Sequence, residues 1–442
     1  MAENIPQSES KELIQAKKLI GVSKLDEAEE IIKNFEAEGA HTLYDNVLCH
    51  LLNSEILVER GLFEDVVILT EKTYKESLGL GKTLLSVDIL LIMVLGLLTL
   101  GKFDKAKKNT KECEDLLKTF TKESSVEYRQ REVSIAFLNG WNYFNDGNTD
   151  QAIKQFELSI SLREQLEIKQ ERYVSLFLKY EHLFYGIAWA FMWKGDYDRA
   201  LEYSKRGITY SEQSGYKSGM GYLLFLMAFL HHLKGELDRS ITYGEQSLAI
   251  YKELNNKFTL ARILQILGGS YGMKGELDQS IRLYKQSLEL FKKFNNNFIM
   301  ANIFNALSFS YKMKGDLNHA LESIEQSMVL FRELEALPAL ANSYDYLIQI
   351  LIDRGDLERA KTSLVELEQL KNKLNYKRII LQYRYNKALV LKTSSRALNR
   401  GKAEEILKQL LEEKDLIYEA RLIALINLCE LLLADLQITN EA

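Results

Sequence analysis

HHLKGELDRSITYGEQSLAIYKELNNKF, residues 231–258, is matched forty residues later by YGMKGELDQSIRLYKQSLELFKKFNNNF, residues 271–298. Fourteen of the 28 aligned positions are identical, and YKMKGDLNHALESIEQSMVLFRELEALP from Tyr311 continues the pattern. Self-similarity at a fixed period in this range is the mark of a solenoid, in which each unit buries its apolar face on its neighbours. A turn glycine recurs at Gly61, Gly101, Gly147, Gly195, Gly235, Gly275, Gly315, Gly355 and Gly401. Four successive spacings, from Gly195 to Gly355, are 40 residues; the others are 40, 46, 48 and 46. The segment SKLDEA (Ser23–Ala28) reads as one more turn with Ser in place of Gly, which gives about ten units.

Counted from the turn glycine as zero, each unit reads as two helices. Position −7 is mostly small: Ser54, Gly140, Ala188, Ala228, Gly268, Ser308. Position −4 is large: Leu57, Leu97, Tyr143, Phe191, Tyr271, Tyr311, Leu351. The two share a helical face, where a small residue beside a bulky one permits close helix–helix contact. After the turn, position +5 is Ala or Ser (Ala106, Ala152, Ala200, Ser240, Ser280, Ala320, Ala360), and position +12 is again small in most units, from Cys113 to Ser327. A seven-residue step is nearly two turns, so both positions face the partner helix. Glycine at zero ends the first helix in a left-handed cap. Asp238 and Asp278 stand where an acidic side chain is expected to cap the second helix.

Composition agrees. The 442 residues are 46% hydrophobic and 27% charged, too apolar for a disordered chain. Only two prolines, Pro6 and Pro338, occur, which favours helix throughout. The net charge of −5 offers no global basic excess for nucleic acid, and the Lys105–Lys111 stretch is interleaved with acidic residues. Cys49, Cys113 and Cys429 lie far apart and form no disulfide framework, which suits a reducing compartment. The first ten residues carry no signal-peptide pattern. The apolar run Leu84–Leu100 is broken by Asp88 and is too short for a membrane span, so it is read as a helix buried on both sides. A cytoplasmic location is expected.

The pattern resembles the tetratricopeptide repeat. The resemblance rests on the small–aromatic pair Gly268/Tyr271, the turn Gly275, the small Ser280 and the aromatic Tyr284. It runs from about Lys11 to Leu411 and is strongest between Gly140 and Ala360. The period of 40 exceeds the 34 of the common form and looks like the long-helix variety of regulator and adaptor proteins, such as the helical region of the maltose-regulator type. The proline that usually closes each repeat is absent; Asn255-Asn256 and Asn295-Asn296-Asn297 stand at the joints, and Asn tolerates the left-handed conformation. Thr70 and Thr110 replace the aromatic at +9 in early units. The resemblance implies an all-α fold, a right-handed superhelical solenoid of about ten antiparallel helix pairs. The expected divisions are a disordered N-terminus at 1–8, the array at 9–414, and a capping helix and tail at 415–442.

The sequence carries no recognisable catalytic or metal-binding motif. The run Leu78-Gly79-Leu80-Gly81-Lys82-Thr83 ends like a phosphate loop, but Glu76 stands where its first glycine belongs and both flanks are helical. None of the six histidines has metal-ligand spacing, and no nucleophile motif is visible. The expectation is a non-enzyme without catalytic residues, metal or cofactor.

A second helical face carries the candidate site. Positions −10, −6 and −3 form one stripe, roughly 110° from the hairpin's own packing face at 100° per residue. The stripe reads Phe137, Trp141, Phe144; Tyr185, Trp189, Met192; Phe225, Phe229, His232; and later Asn305, Phe309, Lys312, with Trp193 beside it at −2. The resemblance puts this stripe on the concave side of the superhelix. Two readings stand: a groove for an extended or amphipathic peptide segment, apolar at one end and hydrogen-bonding at the other, or an aromatic stripe buried as core. The first makes the protein a scaffold that binds a protein or peptide, with no nucleic acid or membrane partner. An alternative is a regulatory sensor, responsive to a ligand or peptide, that acts through another chain. The apolar segment Leu416–Leu436 is read either as a closing helix or as a homodimer contact.

Overall fold

The computed structural model describes residues 10–39, 41–121, 125–166, 179–413 and 418–441. The expected disorder at 1–8 and residue 416 lie outside them. Contacts divide the chain into two compact units, Met1–Ser270 and Tyr271–Ala442. In the first unit run α1 (Lys11–Gly21), α2 (Leu25–Ala37), α3 (Leu43–Arg60), α4 (Phe63–Leu78), α5 (Thr83–Thr99), α6 (Phe103–Lys118), α7 (Val126–Asn145), α8 (Thr149–Glu164), α9 (Tyr180–Lys194), α10 (Tyr197–Ser214), α11 (Lys217–Leu233) and α12 (Leu237–Glu253). Helix α13 (Lys257–Met273) carries the boundary. In the second unit follow α14 (Leu277–Lys292), α15 (Asn297–Met313), α16 (Leu317–Glu333), α17 (Leu337–Asp353), α18 (Leu357–Leu374), α19 (Lys377–Lys392), α20 (Ala397–Leu411) and α21 (Tyr418–Glu441). Every element among the described residues is helical, and consecutive helices pack as hairpins, α7 on α8 and α11 on α12 being typical. Among the described residues the all-α architecture of consecutive helical hairpins is as expected.

The small positions are where the helices touch. Ala106, Ala152, Ala200, Ser240, Ser280, Ala320 and Ala360 are all fully buried. Serine at several of these contacts bonds the facing helix. Ser159 Oγ donates to Val133 O and Ser247 Oγ to Gly221 O, each at 2.8 Å across the hairpin, and Ser240 Oγ reaches Ala228 O at 2.8 Å. Thr70 and Thr110, in place of the aromatic, are buried and donate back to the carbonyls of Val66 and Ala106 at 2.6 and 2.9 Å. Each of these hydroxyls has a partner that offsets the cost of its burial.

Turns follow one rule. Gly235 N–H donates to His232 O at 3.0 Å and Glu236 N–H to His231 O at 2.9 Å, and the turns at Gly275, Gly315 and Gly355 repeat the pattern. This Schellman closure needs positive φ, as seen from Gly61 (73°) to Gly355 (79°), and Ser23 adopts it at 61°. At the joints Asn255, Asn295 and Asn375 take φ of 52°, 48° and 50°, the left-handed role expected of asparagine, and Glu335 joins them at 51°.

Two expectations are corrected. Gly401 is no turn residue: it lies inside α20, one turn into the helix, and the chain turns earlier, at 393–396. Asp238 and Asp278 are not caps either. They lie inside the first turn, behind Glu236 and Glu276, which make no side-chain cap. The capping carboxylates are one position after the glycine, Asp196, Asp316 and Asp356, each accepting from the backbone N–H three residues on. Asp278 instead pairs with Lys314.

Helix α5 is buried on nearly all sides, Leu85 to Leu97, as read from its sequence. No helix among the described residues is long and apolar enough to cross a membrane.

The close approach has a measurable cost when violated. A Cβ added at Gly140 would lie 2.5 Å from the Phe156 ring, whereas one at Gly401 meets open space within a helix. Gly140→Ala should destabilise by about 1–3 kcal/mol. Gly401→Ala should stabilise by about 0.5–1 kcal/mol, since alanine loses less backbone entropy. Thermal melting of the two variants should move in opposite directions.

Candidate functional site

Within the first unit the stripe residues assemble into one wall on α7, α9 and α11. Phe137 meets Trp141 edge-on, with ring centres 6.3 Å apart, and Trp141 meets Phe144 at 5.8 Å. Trp141 then reaches across to Tyr185 of the next hairpin at 6.2 Å. Tyr185 lies 5.8 Å from Trp189, and Trp189 lies 6.0 Å from Phe229. Trp193 projects at the margin, 62% exposed, against Phe144. Phe137, Met192 and Phe225 are buried beneath the wall, so for these three the core reading holds. Trp141, Phe144, Tyr185, Trp189, Phe229 and His232 are half-buried, each keeping a part open to solvent.

The stripe continues one turn further than the sequence reading took it. At position −13 stand His182, Tyr222 and Arg262. Arg262 holds its guanidinium 4.8 Å from the Phe225 ring centre and 5.8 Å from that of Trp189. Burial raises the Tyr185 phenol above its usual range, and Arg262 opposes the rise. Tyr222 sits 5.6 Å from Tyr185 and 6.0 Å from His182. At the far end of the wall, His232 Nδ1 is 2.9 Å from Ser270 Oγ. The signal for this row was present: it is the same face, three residues before −10.

A buried polar junction closes the row. Here the N-terminal hairpins meet the beginnings of α9, α11 and α13. Tyr216 Oη donates to the Glu59 carboxylate and lies 2.9 Å from His182 Nε2. Lys179 Nζ donates to Gly21 O at 2.9 Å and rests 3.1 Å from the centre of the Tyr216 ring. Asn256 Nδ2 donates to Glu59 O at 2.7 Å, and Ser218 N–H to Ser23 Oγ at 3.3 Å. A Cβ at Gly61 would come within 2.6 Å of Asn256 Oδ1, so glycine is required here by contact as well as by φ. Burial dominates the electrostatics. It pulls the Lys179 ammonium down to about 8 against the pull of Glu59, and raises the Glu59 carboxyl. It also holds the His182 imidazole at about 3, assisted by the Lys179 charge. Neutral His182 can then donate through Nε2 to Tyr216, which passes its own proton towards Glu59. None of these contacts was legible in advance, because each spans more than 150 residues or a helix start.

The same rows line a cavity of about 520 Å³ among α1, α3, α5 and α7. Leu48, Asp88 and Ser134 enter from position −13 and Leu51 and Leu91 from −10. Arg131 lies beside them, gripping Asp88 with both guanidinium arms, Nε at 2.9 Å. Helix α7 therefore contributes Arg131 and Ser134 to the cavity and Trp141 and Phe144 to the wall.

The remaining stripe residues lie in the second unit. Asn305 Oδ1 accepts from Ser343 Oγ at 3.0 Å, Lys312 pairs with Asp353 at 3.3 Å, and Phe309 is exposed with its ring edge-on to Tyr346 at 6.3 Å. Their row also extends to −10 of the next hairpin, where Asp345 is half-buried with its carboxyl raised by desolvation and accepts from Asn386 Nδ2 at 2.7 Å. No group of three or more His, Cys, Asp or Glu among the described residues is placed to hold a metal ion.

A sequence profile described as MalT-like TPR region matches residues 187–440, more than half of the chain. By sequence, no curated protein matches. Among solved structures, the chain is similar to the apo form of RapI, with a TM-score of 0.56 and 12% identity over 73% of this chain and 86% of that one. It is similar to a Rap protein complexed with competence and sporulation factor, at TM-score 0.54 and 12% identity, covering 78% of this chain and 97% of that one. It is also similar to a signal transduction ATPase with a tetratricopeptide repeat sensor from Pyrococcus horikoshii, at TM-score 0.59 and 13% identity, covering 93% of this chain and 67% of that one. At these identities the likeness is one of fold.

The junction makes a pH prediction. The folded state refuses His182 a proton that the unfolded chain accepts near its ordinary value of 6.5. Its contribution is full above about 6.5 and is lost as pH falls towards about 3. Between pH 6 and 5, stability should fall with a slope that contains one proton from this site, about 1.4 kcal/mol per pH unit at the limit. His182→Gln keeps a donor for Tyr216 and should flatten that slope by one proton in denaturant titrations. Identical slopes would remove His182 from the account.

Proposed function

The chain belongs to the MalT-like TPR family, and on that premise we propose that it is a non-catalytic interaction scaffold whose wall on α7, α9 and α11 takes an apolar, aromatic-bearing segment of a partner protein. The observation that carries this is the continuity of the wall. Six half-buried residues from three successive hairpins form one surface, with Trp193 exposed at its edge. Aromatic side chains and arginine are the types that dominate binding energy at interfaces, because they bury much area at little entropic cost. Arg262 behind Trp189 adds a cation that could meet a carboxylate or a ring. A Rap protein of the same fold carries a bound factor, which is compatible with a segment lying on this face.

A second reading, a ligand-responsive sensor, is favoured by the cavity. It is mixed in character, with leucines on its walls and Lys17, Lys82, Arg131, Asp88 and Glu55 around them. A ligand there would press on α3, whose far end carries Glu59 of the buried junction. Occupancy would then be read as faster amide exchange at Ser218.

All three tryptophans of the chain, Trp141, Trp189 and Trp193, belong to the wall or its margin. Indole fluorescence therefore reports on this surface alone. Peptides selected from a randomised library on the wild-type chain should shift the emission. Trp141→Ala with Phe229→Ala should weaken their binding at least tenfold while helical circular dichroism is retained. Selected peptides that bind the double variant equally well would place recognition elsewhere.

A further inference from the structure

Helix α21 has two faces of different character. One is committed to the array: Ala424 and Leu428 are buried in a cluster with Ala388, Leu407 and Leu410, and Leu431 is buried as well. Its described polar groups are tied to the array as well. Arg421 donates to Leu411 O and Glu413 O at 2.8 and 2.9 Å, Asn427 Nδ2 to Tyr385 Oη at 3.2 Å, and Glu430 pairs with Lys392 at 2.6 Å. The other face is a seam of Leu422, Leu425, Ile426, Cys429, Leu432, Leu433 and Leu436. Its large side chains are between 39 and 61% exposed.

The seam spacing is 4-3-4-3 through 422, 426, 429, 433 and 436 and 3-4-3-4 through 422, 425, 429, 432 and 436. This is the heptad alternation of helices that pack on helices. Within the seam, 422 and 436, 425 and 433, and 426 and 432 stand at equal distances from Cys429, and Ile423, 46% exposed, borders it. The seam holds no charge and no hydrogen-bonding group other than a thiol, so it selects a partner of the same kind. Pairing two seams would bury on the order of 500 Å² per chain, close to the ~1,000 Å² total that a specific interface must clear.

We propose that this seam pairs with the same seam of a second copy, making the protein a two-fold homodimer through α21. A self-complementary patch of this type is what an isologous interface requires. Full overlap of two such seams sets Cys429 opposite Cys429, whether the helices run parallel or antiparallel. Cys429 is also the one exposed cysteine; Cys49 and Cys113 are buried, and burial pushes the Cys49 thiol up to about 12. A short bismaleimide will therefore address Cys429 selectively.

The test uses the full chain. Sedimentation should give twice 51.0 kDa at micromolar concentration, and the bismaleimide should yield a covalent dimer joined Cys429 to Cys429. Leu425→Glu with Leu433→Glu should weaken self-association at least 100-fold with an unchanged melting profile for the rest of the array. Leu422→Lys with Leu436→Lys, at the ends of the seam, provides a second pair should the first perturb the helix, and the wild-type crosslink is independent of both. A wild-type chain that sediments as a monomer overturns the proposal. So does a dimer that persists in both variants or one that is not crosslinked through Cys429.

Discussion

The structure depends on how closely two helices of one hairpin can approach. Residues without bulk at −7, +5 and +12 set that distance, and at Ser159, Ser240 and Ser247 the hydroxyl is satisfied by a carbonyl of the facing helix. Once the approach is fixed, the hairpin is a rigid block with a defined second face. Repetition then carries that face from block to block. A side chain on this face meets one on the same face of the next hairpin, at the same offset for Trp189 and Phe229 and one turn earlier for Trp141 and Tyr185, so that Trp141, Tyr185, Trp189 and Phe229 form a chain of ring contacts although up to 88 residues separate them.

The repeated face is not uniform in chemistry. In the first unit it passes from the polar and charged cavity beside Arg131 to the rings between Phe137 and Phe229. In the second unit the same offsets hold Asn305, Lys312 and the half-buried Asp345. The core positions stay nearly constant while these rows vary. Packing constrains the core to fill a fixed space, whereas the second face is free to differ wherever hairpin geometry is indifferent to it.

Much of this was legible from residue spacing alone. The turn glycines, the buried small positions, the asparagine joints and the aromatic stripe all follow from local rules of helix geometry. What escaped were features with no local signature. Gly401 looked like a turn because of its distance from Gly355, but nothing in a single helix distinguishes an interior glycine from a terminal one at that spacing. The caps fell to Asp196, Asp316 and Asp356, not to the acid two residues later, because the residue after the glycine is the last with non-helical backbone before the second helix begins. The junction of Glu59, Lys179, His182 and Tyr216 brings together residues whose separation in the chain carries no periodic trace.

That junction sets a timetable for the growing chain. Most contacts of the array join neighbouring hairpins and can form as soon as each leaves the ribosome, but Gly21, Ser23 and Glu59 bind partners 157 to 197 residues downstream. At about 5–20 residues per second, the first hairpins wait on the order of ten to forty seconds for Tyr216 and Asn256 to emerge. During that interval Glu59 and the surface around Gly61 face water or a chaperone, and only the arrival of α11 and α13 withdraws them. Long-range closure of this kind is slow in arrays that otherwise fold from local contacts, so the N-terminal hairpins are the part of the nascent protein most exposed to competing association.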